Sequence, residues 1–145
     1  MSIYKLNGGC HCGNIQVELE LTRESATYNP RVCDCNFCRK HGAAYISDPQ
    51  GSVRIQVKDS HQLGKYLQSS GIADCIVCRN CGVLVGIVYQ SNGRLYGATN
   101  SKVIDGNPAF GADVPVSPKT LPDGEKIKRW KDIWFADVSI DISTQ

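Results

Sequence analysis

A mainly β, single-domain fold is what this sequence predicts, and three observations carry the prediction. Short apolar–polar alternations recur along the chain, sustained helical periodicity is sparse, and the eight cysteines gather in tight groups at strand ends and turns. A length of 145 residues suits one domain rather than two.

The predicted elements follow in order. "NIQVELEL" (14–21) alternates Ile15, Val17, Leu19 and Leu21 with polar neighbours, the pattern of a half-buried strand. "SVRIQV" (52–57) repeats it with Val53, Ile55 and Val57. "DSHQLGKYLQSS" (59–70) suits a helical turn or a strand equally, because Gly64 weakens the helix. "VLVGIVY" (83–89) reads as a central strand in which Gly86 marks a bulge or a close approach. Asn92-Gly93 then predicts a hairpin into "RLYGAT" (94–99), since a type I′ turn needs positive φ at both central residues. "ADVPVSPKTLP" (112–122), with prolines at 115, 118 and 122, reads as a surface loop. "DGEKIKRWKDIWF" (123–135) suits a short helix with Trp130 and Trp134 on one face, both expected in core packing rather than facing a substrate. Val138, Ile140 and Ile142 alternate once more near the end.

Composition excludes several function classes. No apolar run approaches the roughly 18 residues of a membrane helix, and "MSIYKLNGG" carries no export pattern, so no membrane partner and a cytoplasmic location are expected. In that compartment thiols stay reduced. Cysteines at i and i+2 in extended chain also have Cα atoms about 6.5–7 Å apart, the upper limit for a disulfide. The cysteines are therefore expected to bind metal. Two zinc ions held by seven thiolates take the formal net charge of +2 to −1, which leaves no basic excess for nucleic acid.

Two cysteine constellations carry the chemistry. "GGCHCGN" (8–14) and "CRNCGV" (78–83) each end on glycine, at 13 and 82, where chain wrapped around a metal needs positive φ. Cys10, Cys12, Cys78 and Cys81 together offer the closed four-thiolate shell of a structural zinc; iron could occupy the same shell. Zinc there ties residue 10 to residue 81, and its removal is expected to melt the fold.

"VCDCNFCRKHG" (32–42) supplies Cys33, Cys35 and Cys38, three ligands with an exchangeable fourth position, as in catalytic zinc sites. Three thiolates quench the ion's charge, which favours binding an incoming thiol over activating water. Arg39 suits a substrate carboxylate, whereas Lys40 and His41 read as solvated residues, His11 as a turn residue and His61 as surface. Cys75 is most simply a buried strand residue; it could instead close the second site or act as a reactive thiol.

The ordered set "GGCHCG", "CDCNFCRKHGA" and "CRNCG", spanning residues 8–82, resembles the glutathione-dependent formaldehyde-activating enzyme family, with a looser likeness through "YGATNSKVIDGNPAF" (96–110). The resemblance implies a Mss4-like domain of small antiparallel sheets around a structural zinc on Cys10, Cys12, Cys78 and Cys81. The motif core would be 8–110 and a covering segment 111–145. It also implies a catalytic zinc on Cys33, Cys35 and Cys38, and a carbon–sulfur lyase-type reaction that, in reverse, joins glutathione to formaldehyde as S-hydroxymethylglutathione. The stretch after the third motif would shape the substrate pocket. The family includes centromere protein V, whose long basic extension this chain lacks. A non-catalytic zinc-stabilised binding module and a thiol or zinc redox sensor are the alternatives in other functional classes. Thiol, aldehyde and oligomeric state are not specified by the sequence.

Overall fold

The structure is a computed structural model that describes residues 3–67 and 71–143. In chain order the elements are β1 (Tyr4–Gly9), β2 (Ile15–Leu21), β3 (Arg31–Cys33), α1 (Asn36–His41), β4 (Tyr45–Ile46), β5 (Ser52–Val57), β6 (Leu63–Leu67), β7 (Asp74–Cys78), β8 (Leu84–Ser91), β9 (Arg94–Asn100), β10 (Val114–Val116), α2 (Asp123–Ile133) and β11 (Val138–Ile142). None of the helices among the described residues is long and apolar enough to cross a membrane.

Strands β1-β2-β5-β11 form a four-stranded sheet, and β10-β3-β4-β9-β8-β7-β6 a seven-stranded one. Both are antiparallel except at one edge each, where β11 runs parallel to β5 and β10 parallel to β3. The fold is thus mainly β, as expected, but the sheets are mixed rather than purely antiparallel. The parallel strands both come from the C-terminal segment, which returns to each sheet from elsewhere in the molecule instead of through a tight hairpin.

The alternating segments behave as their periodicity demands. Ile15, Val17, Leu19 and Leu21 of β2 and Val53, Ile55 and Val57 of β5 are all buried, while intervening residues such as Gln16, Glu18, Arg54 and Gln56 are exposed. They meet Ile76, Val85 and Val88 of the larger sheet and Phe135 in one core. Each such side chain contributes about 1.5–3 kcal/mol by leaving water. The β8–β9 hairpin closes through Asn92 (φ 52°) and Gly93 (φ 77°), the two positive values that a type I′ turn requires. At Gly86 both expected features occur. The β7–β8 register shifts beside it, and a Cβ there would lie 2.6 Å from the Ala98 carbonyl oxygen.

Three expectations change. Residues 59–67 hold both alternatives in succession, a single 3-10 turn (Ser60–Gln62) and then β6; residues 68–70 of that segment lie outside the described residues. The segment 112–122 is not plain loop: it contains β10 and a 3-10 turn at Pro118–Thr120. The helix α2 stops at Ile133, so Trp134 caps it rather than continuing it, with its N–H bonded to the Trp130 carbonyl at 2.8 Å.

One buried charge fastens the frame. Asp48, only 3% exposed, accepts from the Thr22 and Tyr28 hydroxyls (2.6 Å each), the Thr22 N–H (3.0 Å) and the Gln50 N–H (2.9 Å). Burial opposes its ionisation, but these bonds to the charged form outweigh burial and hold the carboxyl below its ordinary pKa.

Candidate metal centres and cleft

The four-cysteine set comes together as its spacing implied. Two knuckles of similar construction present it. In the first, the Cys10 N–H bonds the Ile15 carbonyl (2.9 Å) and the Gly13 N–H bonds the Cys10 carbonyl (3.2 Å). In the second, the Cys78 N–H bonds the Val83 carbonyl (3.0 Å) and the Gly82 N–H bonds the Cys78 carbonyl (2.8 Å). Gly13 and Gly82 both adopt φ of 82°, the left-handed turn that carries each chain round just after its second cysteine. The four sulfurs lie within 4.8 Å of one another, with Cys10–Cys12 at 3.7 Å and Cys12–Cys78 at 3.6 Å. A tetrahedron with Zn–S of about 2.3 Å has edges of about 3.8 Å, so the donor set fits a zinc ion. The Ile15 N–H also points at the Cys10 sulfur (3.2 Å). Cys12 is exposed and pushed down to about 6, chiefly by the Asn80 side chain, whereas burial pushes Cys78 up to about 12.

The three-cysteine set is local and buried. Cys33 ends β3, Cys35 caps α1 and Cys38 lies on its inner face. The Cys35 sulfur accepts the Cys38 N–H (3.4 Å), and Gly42 closes the helix in left-handed conformation. Arg39, Lys40 and His41 occupy the last turn, where positive charge complements the helix end. All three sulfurs lie within 4.8 Å of one another. The Tyr45 hydroxyl is 3.2 Å from the Cys38 sulfur, and burial first, then Cys38, keeps that phenol protonated. Without a cation the three thiols share their protons unequally. The Cys38 hydrogen bond pushes Cys33 down to about 6, the bond to Cys33 pushes Cys38 up, and burial raises Cys35. Three thiolates this close need a compensating dication, and a soft sulfur shell suits zinc. Cys75, wholly buried on β7, packs in the same cluster but does not join the group of sulfurs within 4.8 Å. Burial pushes it up to about 12, as an inert thiol.

Above this cluster opens a narrow cleft of about 80 Å³. Its floor is Cys33, Cys35, Cys38 and Tyr45; its walls include Arg31, Ile87, Val116, Pro118 and Lys119, and from α2 Lys126, Arg129, Trp130 and Ile133, followed by Trp134. The Trp130 and Trp134 rings stack at 4.8 Å with 14° between planes. The expectation of core packing for them was half the answer: both are buried, and both face the cleft. The 112–122 segment likewise lines the cleft, through Val116, Pro118 and Lys119. It is held there by β10 on β3 and by the ion pair Lys119–Asp34 (3.8 Å). Phe135 exchanges two backbone hydrogen bonds with Gly97 (3.0 and 2.8 Å), which pins the end of α2 against β9.

Arg39 is exposed and is not among the cleft-lining residues; the cations that line it are Arg31, Lys119, Lys126 and Arg129. Sequence reasoning passed over these, although the signals were present. Arg31 precedes Cys33 by two residues on one strand, hence on the same face. Lys126, Arg129, Trp130 and Ile133 stand at helical i, i+3, i+4 and i+7 spacing. Burial, and after it the charge of Arg129, lowers Arg31 to about 10. His11 lies in an exposed turn, and His61 is exposed beside Asp59.

Two comparisons bear on this arrangement. A crystal structure of a Rhodobacter sphaeroides protein, determined as a structural-genomics target, superposes with a TM-score of 0.52 at 30% identity, covering 69% of this chain and 88% of that one. The sequence profile described as glutathione-dependent formaldehyde-activating enzyme matches residues 5–112, a stretch that contains both knuckles and all three cysteines of the cleft. With its cysteine motifs, their three-dimensional grouping and this match in agreement, the chain belongs to the glutathione-dependent formaldehyde-activating enzyme family.

Proposed function

We propose that the cleft is the active centre of a carbon–sulfur lyase-type enzyme. It adds the thiol of glutathione, or of a similar compound, to formaldehyde or another small aldehyde, giving an S-hydroxyalkyl thiol. The observation that carries this reading is the donor count: three sulfurs face an open cleft and no fourth cysteine joins them. Cys33, Cys35 and Cys38 would hold a catalytic zinc, and Cys10, Cys12, Cys78 and Cys81 a structural one. Zinc in the cleft supplies a position at which a thiol's pKa falls, so that its sulfur is nucleophilic at neutral pH.

The chain's own residues do the rest. The Tyr45 hydroxyl, 3.2 Å from the Cys38 sulfur, steadies that donor. Ile87, Val116 and the stacked tryptophans keep water from the reacting sulfur and hold the thiol's carbon chain. The S–H bond breaks, a C–S bond forms, and the proton ends on the former carbonyl oxygen. Holding sulfur and aldehyde together is the main catalytic contribution, since this addition also proceeds unaided. Arg39 enters the proposal only as an outlying contact for the thiol's carboxylate. A small-molecule thiol and an aldehyde are the partners, and a reducing cytoplasm is the compartment that suits seven thiolate ligands.

The test is exchange between ¹³C-formaldehyde and its glutathione adduct, followed by NMR with protein carrying two zincs per chain. Faster exchange than in buffer is expected; an unchanged rate sinks the formaldehyde assignment.

A further inference from the structure

We propose that Arg31 and Arg129, with Lys126 beside them, form an anion-binding subsite that makes the cleft selective for thiols bearing carboxylates. The inference rests on the reading of the cleft as a thiol site. It deepens that reading with residues lying mostly beyond the stretch matched by the family profile, which ends at residue 112.

Four cations line the cleft, and of the ion pairs among the described residues only Lys119–Asp34 involves one of them. Arg31, Lys126 and Arg129 therefore face a partly enclosed space without a carboxylate of the described residues within 4.0 Å. Like charges gathered in such a place repel, and burying them unpaired is costly. Three thiolates and a zinc dication at the floor carry one net negative charge. Set against three unpaired cations, this leaves a surplus of two positive charges for a ligand to neutralise.

Arg31 is also held in position. Its guanidinium donates to the Ser47 hydroxyl (2.7 Å), and that hydroxyl donates to the Ile133 carbonyl (2.6 Å) at the end of α2. A guanidinium has five N–H donors, and this is its one protein acceptor among the described residues. The remaining fork suits the two oxygens of a carboxylate. Its place on β3, two residues from Cys33, puts the fork within a side chain's length of the sulfurs. The chemistry recognised is thus a short organic acid whose thiol reaches the cysteine cluster while its carboxylate meets the arginines.

The test uses the full chain with two zincs bound and a probe lacking the thiol, γ-glutamyl-alanyl-glycine, with its diethyl ester as the uncharged control. Calorimetry at low salt is expected to show the acid binding at least about tenfold more tightly than the ester. Arg129→Gln and, separately, Lys126→Gln are expected to remove most of that difference while zinc content stays at two per chain. Equal affinity for acid and ester overturns the subsite, as does unchanged selectivity in both variants. Loss of the second zinc from Arg129→Gln would instead assign the cations to the metal cluster, which also overturns it. The two readings fail separately. Charge-dependent binding of the tripeptide without accelerated formaldehyde exchange leaves the subsite and removes the reaction. Exchange accelerated equally with glutathione and with cysteamine keeps the reaction and removes the subsite.

Discussion

The two cysteine clusters gather the same sulfur atoms in opposite ways. The four-cysteine set joins residues that are 66 positions apart, Cys12 and Cys78, across two knuckles, and it sits near solvent with Cys12 exposed. The three-cysteine set spans one strand end and one turn of helix, and all its members are buried. The first closes a long loop, so a metal bound there would act on the fold as a whole. The second closes almost nothing; its surroundings are instead built to leave space above it. Under the proposed function, sequence separation rather than depth in the protein distinguishes a cluster that would stabilise from one that would react.

The largest expected effect follows from that contrast. Cys78→Ser should abolish the native fold, because roughly 10–16 kcal/mol of apparent zinc-binding free energy exceeds the stability of an ordinary domain. Circular dichroism and zinc analysis check it, and a variant that melts like the parent erases the distinction. Cys35→Ser should instead keep the fold, lose one zinc and reduce exchange to the buffer rate. If this variant unfolds as completely as Cys78→Ser, the two clusters are not functionally separate.

Smaller changes sharpen the same comparison. Trp130→Ala removes a buried ring that lines the cleft and stacks on Trp134, and should cost about 3–5 kcal/mol in denaturant unfolding without zinc loss from the knuckles. Asp48 probes the frame apart from either cluster. Its folded pKa lies below its unfolded one, so its stabilisation is complete above about pH 4 and is lost as pH falls through the folded value. Asp48→Asn should therefore cost about 1–3 kcal/mol at neutral pH and weaken the acid dependence of stability, measured in zinc-loaded protein. Arg39→Ala, at an exposed position outside the cleft, should change thiol affinity less than Arg129→Gln does in parallel titrations.

The sequence was most legible where chemistry is local. β2 and β5 followed from period-two alternation, the 92–93 hairpin from its turn residues, and the positive φ of Gly13 and Gly82 from the need to turn past a metal. The three-cysteine group and each pair of the four-cysteine set were legible because CxC and CxxC spacing brings their members together, whereas the meeting of the two pairs across 66 positions followed only from counting four thiolates for one closed shell. The short strand β10 was hidden by Pro115 and the prolines that follow it, since a parallel edge strand is decided by the neighbour it finds rather than by its own propensity.

By itself, then, the sequence determined the cysteine groups, the main antiparallel strands and the family. Only the tertiary structure decided what surrounds the open cluster. The covering segment from β10 to Trp134 meets Cys33–Cys38 through sheet pairing at β3 and the Gly97–Phe135 bridge, contacts between residues far apart in the chain. Spacing constrains neighbours along the chain, whereas a cleft is made by elements that meet across it. For that reason the meeting of the tryptophan wall and of Lys126 and Arg129 with Arg31 and the three cysteines came into view only once the sheets were assembled.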